Sequence, residues 1–327
     1  VGILSNFLGR RDGREEEPPA IIRPAYPSEL KAAVRLLLGT AGQTVADEQV
    51  NEFMAFVEGR AINAMSFRVA EQAGKLTAAA LPVVSPGRTM LLFASPPTSG
   101  VSESVLSRVI DGVCAGVSDA EAHLAQVLIE PTDDAMQRIY EAAGFEVMAE
   151  LIYLHGTPRA DAPFPVLPPG WRWEHYSAAS HDQFVQTIHA SYQHSLDCPA
   201  LNGMRDMHDV LEGHKASGVF DPNHWFLLLE GHEPRGVLLL ASSGRDAAQM
   251  ELVYLGVPES SRGKKLGEIL MRQAMATVAA AKHERLALAV DEKNIPALKL
   301  YYRNGMNRLT SKLAMMRDLR KKFIIED

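Results

Sequence analysis

The chain reads as an α+β (mixed α/β) protein made of two tandem domains, each a mixed twisted sheet flanked by helices. Three observations lead there. The first is size: 327 residues with 46% hydrophobic content can bury a sizeable core, and the length suits two domains better than one. The second is a repeat. The segments Asp133 to Phe145 and Asn294 to Met306 share a rhythm in which Tyr140 and Gly144 recur as Tyr301 and Gly305, at a constant offset of 161 residues, about half the chain. The third is a proline-rich passage, Thr157 to Gly170, whose composition favours an extended connection.

Periodicity supplies the elements in order. The first half reads as a strand at Ile21 to Pro24, helices at Ser28 to Leu38 and Asp47 to Glu58, and strands at Ser66 to Glu71, Leu76 to Val84 and Arg88 to Ala94. A helix at Glu103 to Val117 follows, then a strand at Ala125 to Ile129, the repeated helix and a last strand. The second half repeats that order: a strand at Trp171 to His175, helices at Asp182 to Tyr192 and Met207 to Ala216, and strands at Trp225 to Glu230, Arg235 to Ala241 and Gln249 to Val257. A helix from about Leu266 to Ala281 and a strand at Leu286 to Val290 precede its repeated helix. The expected boundaries are a flexible tail at 1–19, a first domain at 20–158, a linker at 159–170 and a second domain at 171–327.

Composition narrows the function classes. A net charge of −7 argues against a general nucleic-acid binder, which needs a strongly basic face. Cys114 and Cys198 lie far apart and make no metal-ligand spacing, which suggests a reduced, cytoplasmic protein without a disulfide framework or a metal. The apolar opening Val1 to Leu8 is too short to span a bilayer, so no membrane association is expected. His189, His194, His208 and His214 lack the i, i+4 pairing of a helical metal site, and Trp171, Trp173 and Trp225 fit packing roles on strands. The basic run Arg317 to Lys322 reads as a solvated final segment.

Chemistry concentrates in the strand, turn and helix from Glu251 to Gly267. An apolar strand ends at Pro258, and a basic turn, Arg262-Gly263-Lys264-Lys265-Leu266-Gly267, opens the next helix. Unpaired N–H groups and partial positive charge at a helix start favour anionic oxygens, and glycines let backbone come close. Alone the turn is a weak signal, equally suited to a polar surface cap. Together with Asn294-x-x-Ala297-x-x-Leu300-Tyr301-x-x-x-Gly305-Met306 it becomes specific.

These residues resemble the GNAT acetyltransferase superfamily, whose signature is Arg or Gln, two residues, Gly, one residue, Gly or Ala. The fit has one departure, Lys265 where glycine is usual. The resemblance implies a splayed mixed sheet with acetyl-CoA between its fourth and fifth strands. By residue, it implies that the backbone of Leu255, Gly256 and Val257 pairs with the pantetheine arm and that Arg262 to Gly267 hold the pyrophosphate. It further implies that Asn294 and Ala297 sit beside the cofactor and Tyr301 near its sulfur. Lys265 either adds a favourable charge there or narrows the approach.

Acyl transfer to an amine expels a thiolate, so a nearby phenol can donate a proton, and a carboxylate can accept one from the attacking amine. Tyr301 is the candidate acid and Glu251 the candidate base. In the first half, the passage Pro96 to Val105 has no Arg, Lys or Gln and carries Glu103 at the helix start, so that half is expected to be structural or to shape the acceptor pocket. Tyr140 reads there as core packing.

The doubled arrangement resembles that of mycothiol synthases, which implies an acetyl-CoA-dependent N-acetyltransferase with a small amine acceptor. A catalytically inactive CoA-responsive binding protein and an aminoacyl transferase of doubled GNAT-like fold remain the alternatives. Acceptor, acyl-chain length and oligomeric state stay open.

Overall fold

The computed structural model describes residues 19–39, 45–59, 66–97, 101–244, 246–321 and 323. Residues 1–18 of the expected tail, 98–100 of the turn before Glu103 and Lys322 lie outside them.

The first half contains β1 (Ile21–Pro24), α1 (Leu30–Leu38), α2 (Asp47–Gly59), β2 (Arg68–Gln72), β3 (Lys75–Ser85) and β4 (Thr89–Ala94). Then come α3 (Glu103–Ala115), β5 (Leu124–Ile129), α4 (Asp134–Ala142) and β6 (Glu146–Gly156). The second half repeats the order with β7 (Trp171–His175), α5 (His181–Tyr192), α6 (Met207–Lys215), β8 (Trp225–Glu230), β9 (Glu233–Ser242) and β10 (Gln249–Gly256). It closes with α7 (Leu266–Ala280), β11 (Arg285–Asp291), α8 (Ile295–Arg303) and β12 (Asn307–Asp318). No helix or strand falls between β6 and β7 apart from short turns.

The repeated segments fold alike for a local reason. Asp133 caps α4 by accepting the Met136 N–H, and Asn294 caps α8 by accepting the Ala297 N–H. Past each helix, Gly144 and Gly305 take φ of 80° and 79°, the left-handed conformation that closes a helix and that only glycine adopts without strain. Tyr140 is 1% exposed and meets Phe145 edge to face at 5.1 Å, so it packs the first core.

The two strand sets form one twelve-stranded sheet, in the order β1-β2-β3-β4-β5-β12-β6-β11-β10-β9-β8-β7. Each half therefore gives its last strand to the other. β6 lies antiparallel to β11, β12 lies antiparallel to β5, and the exchanged strands pair with each other. Packing follows the exchange: Ile152 and Leu154 of β6 join Met250, Leu286, Leu288 and Val290 in the second core, and Met315 of β12 joins the first. Sequence periodicity carries no record of this pairing.

Exchange also corrects the expectation for Arg317. At the end of β12 it is 8% exposed, and its Nη1 donates to Asp111 at 2.8 Å and to the Ala143 carbonyl at 2.6 Å. A charge this enclosed needs such partners.

Helices cover both sheet faces. In the second half α7 and α8 pack on one face through Met250, Leu252 and Leu286, whereas α5 and α6 pack on the other through Leu227, Val237 and Leu239. Trp225 is fully buried on the second of these faces, and Trp171 and Trp173 pack against the first.

Candidate active site

Parallel β10 and β11 pair only from Gln249↔Arg285 to Glu251↔Ala287 and then part. On its other side β10 continues along β9 to Gly256, with a bulge between Leu252 and Tyr254. The backbone of Leu255, Gly256 and Val257 thus borders an opening on the β11 side. In the first half β4 and β5 also separate after three pairs, yet β4 follows β3 without a bulge.

The opening continues as two adjoining cavities. One, of about 290 Å³, is bounded by Leu255, Gly256, Val257, Asp197, Asn294 and Ala297. The other, of about 800 Å³, extends over Arg262, Gly263, Lys265, Gly267, Arg272 and Arg303. Val257, Arg262, Gly267, Pro296 and Leu300 border both, so they form one cleft. Gly256 is required by crowding: an added Cβ would stand 2.5 Å from Ser191 Oγ and 2.6 Å from Tyr254 Cε1.

At the turn before α7, the amides of Gly263, Lys264, Lys265, Leu266 and Gly267 make no hydrogen bond within the described residues, and the first bonded one is Glu268, to the Lys265 carbonyl. Gly263 (φ 78°) and Lys265 (φ 60°) are both left-handed. This explains why glycine suits position 265, since a residue with a Cβ takes that conformation at a cost of roughly 1–2 kcal/mol. The Lys265 side chain is exposed and borders the wider cavity.

Arg262 departs from the expected role in one respect. Its guanidinium donates to the carbonyls of Ser191 (2.9 Å), Gln193 (2.8 Å), His194 (3.2 Å) and Val257 (3.3 Å). It thereby serves the orphan carbonyls at the end of α5 and ties that end to the turn. What the turn offers an anion is therefore chiefly its backbone, with Lys265, Arg272 and Arg303 lining the cavity and the Glu268 carboxylate, 3.7 Å from Arg272, beside them. The corresponding helix start in the first half is closed: Ser102 accepts the Val105 N–H, and Glu103 lies in the first turn paired with Arg138 at 2.6 Å.

The expected catalytic pair is separated by the sheet. Tyr301 is 7% exposed, packs with Met250 and Leu252, and borders neither cavity directly. Burial, and then the Asp197 carboxylate, hold its phenol well above the ordinary tyrosine range, so it keeps its proton. Tyr302, its neighbour, is 47% exposed. Glu251 alternates with Met250 and Leu252 and so points to the opposite face, half-buried.

Sequence reasoning did not single out the lock beside the cleft. Asp197 accepts the Asp291 N–H at 3.1 Å, while the Asp291 carboxylate accepts the N–H groups of Cys198 (3.1 Å) and Lys293 (2.8 Å). This pins the loop after α5 to the end of β11, opposite Asn294. Burial, then Asp197 and Asp291, push the Cys198 thiol up to about 12. Only a contact across about ninety residues of chain creates this arrangement, so local spacing gives no sign of it.

Comparison with known proteins finds a family match over part of the chain and similar folds over most of it. Residues 188–306 match the acetyltransferase (GNAT) family, a span from the end of α5 to the residue after Gly305. No curated protein sequence matches the chain. Among solved structures, a GCN5-related N-acetyltransferase from Sphaerobacter thermophilus is similar over 94% of this chain and 98% of its own, with a TM-score of 0.59 at 16% identity. A tandem GNAT protein from the clavulanic acid biosynthesis pathway is similar over 93% of this chain and 100% of its own, with a TM-score of 0.51 at 10% identity. A glucosamine N-acetyltransferase region of a fungal multi-domain protein has a TM-score of 0.56 at 13% identity, and the match covers 91% of this chain but 38% of that larger one. Acyl transfer is the general chemistry of the matched family, and no helix among the described residues is long and apolar enough to cross a membrane. Residues 188–306 thus match the GNAT acetyltransferase family, and the doubled fold around them is similar to that of GNAT structures, one of them a tandem GNAT protein.

Proposed function

We propose that the second half, residues 171–327, carries an acetyl-CoA-dependent N-acetyltransferase site for a small amine, while the first half, residues 20–158, is structural and shapes the acceptor side. The observation that carries this reading is the run of unpaired amides from Gly263 to Gly267 facing a cleft that continues between the parted strands. Such a run suits a diphosphate. The backbone of Leu255, Gly256 and Val257 lines the path of the pantetheine arm, with Asn294 and Ala297 across from it. Bound there, acetyl-CoA supplies an acetyl group activated as a thioester.

The remaining roles belong to the chain. Glu251 accepts the proton that the attacking amine must shed, directly or through water. Tyr301 keeps its proton and is assigned to donate it to the departing sulfur, although it borders neither cavity and lies on the other sheet face from Glu251. Gly263, Lys265 and Gly267 fix the backbone that orients the donor, so that positioning supplies much of the rate.

A second reading, CoA-responsive binding without turnover, draws on the burial of Tyr301 in the same register as the core residue Tyr140. Acetyl-CoA consumption by the full chain with a panel of amines decides between the two. Turnover that falls about 100-fold in Tyr301→Phe supports the transferase and the acid assignment. Unchanged turnover in Tyr301→Phe removes the acid role, and CoA binding without consumption favours the second reading.

A further inference from the structure

The exchanged strand β6 brings side chains of the first half onto the sheet face that carries Glu251. Register fixes which ones. Glu251 pairs with Ala287, Ala287 with His155, and His155 with Asn307, so these residues form one row across four strands. In the next row along β6, Tyr153 stands between Ala289 and Thr310.

Alternation agrees with this placement, because Ile152 and Leu154 enter the second core and leave Tyr153 and His155 on the opposite face. Both are half-buried there. The residues between them and Glu251 are alanines, with Ala287 partly open and Ala289 exposed although it lies on a central strand. A low alanine floor thus separates Glu251 from Tyr153 and His155. The Tyr153 phenol lies within electrostatic reach of Glu251: after burial, that carboxylate helps to raise it.

We propose that this strip receives the acceptor, its amine at Glu251 and its far end against Tyr153 and His155, so that the first half completes the acceptor site of the second. Two strand spacings put those side chains about 10 Å from the Glu251 strand. A phenol and an imidazole each donate and accept hydrogen bonds. The strip therefore selects amines that carry a hydroxyl or carbonyl group roughly 5–10 Å from the nitrogen over plain alkyl amines. This deepens the function proposed above and rests on it.

Steady-state kinetics of the full chain, Tyr153→Phe and His155→Ala, with an amino sugar and an alkyl amine of similar length, test it. The expected result is an acceptor KM about tenfold higher in each variant for the amino sugar, with kcat, the KM for acetyl-CoA and the alkyl amine kinetics changed by less than about twofold. An unchanged amino-sugar KM in both variants overturns the composite acceptor site and leaves the transferase intact. A rise in the KM for acetyl-CoA as large as that for the acceptor overturns it as well. A wild-type chain that binds CoA but consumes no acetyl-CoA with any amine overturns the transferase reading, and this inference with it.

Discussion

Ile152, from the first half, stands opposite Val290, from the second, and the two are 2% and 3% exposed within one core. The second core is thus built in part by a strand of the other half. Ile152→Ala removes buried methylenes that the tight surroundings cannot fully replace, so it should cost about 2–5 kcal/mol. Denaturant unfolding of the full chain measures that loss. The same relationship predicts that fragments 19–158 and 171–321 are poorly folded alone and associate when mixed. A well-folded, monomeric second fragment would contradict the mutual dependence.

Arg262→Ala should destabilise the chain before any ligand is added. Its guanidinium donates to four carbonyls at the end of α5 and of β10, and the loss of these partly exposed bonds should cost about 1–2 kcal/mol. Thermal unfolding without CoA checks this. A side chain reserved for phosphate would leave that unfolding temperature unchanged.

Lys265 tests conformation against charge. Lys265→Gly keeps the left-handed turn and should weaken CoA binding by less than about tenfold, an effect that shrinks in high salt. Lys265→Val should weaken it much further, because a β-branched residue resists φ of 60°. Calorimetric titration at two salt concentrations separates the two contributions.

How much of this was legible beforehand depends on distance along the chain. The order of elements, the repeated caps at Asp133 and Asn294, and the glycines at 144 and 305 follow from residues a few positions apart, and the strand and helix limits fell within a few residues of those expected. The turn at Gly263 to Gly267 was legible for the same reason. Strand exchange was not, since β6 and β12 alternate equally well beside either partner. Arg317 was misread, and the structural bonds of Arg262 were not foreseen, because their acceptors come from the first half and from α5, well beyond any local pattern. Tyr301 was placed on the right helix, yet only packing reveals that it faces the core while Glu251 faces away from it.

Both cysteines should be inert in the folded state. Burial pushes Cys114 up to about 12, and burial with two nearby carboxylates does the same for Cys198. At pH 8 only about one thiol in ten thousand would then be the reactive thiolate. Mass spectrometry after iodoacetamide treatment should show neither modified until denaturant is added. Rapid labelling of Cys198 alone would mean that the loop held by Asp197 and Asp291 opens readily.

Hydrogen exchange of the full chain with and without CoA addresses the anion cradle most directly. If the backbone at the start of α7 grips the diphosphate, the amides from Gly263 to Gly267 should exchange at least about tenfold more slowly with CoA bound, while those at the start of α3, from Glu103 to Leu106, should not change. Protection at α3 with none at α7, or no protection at either, would contradict the account.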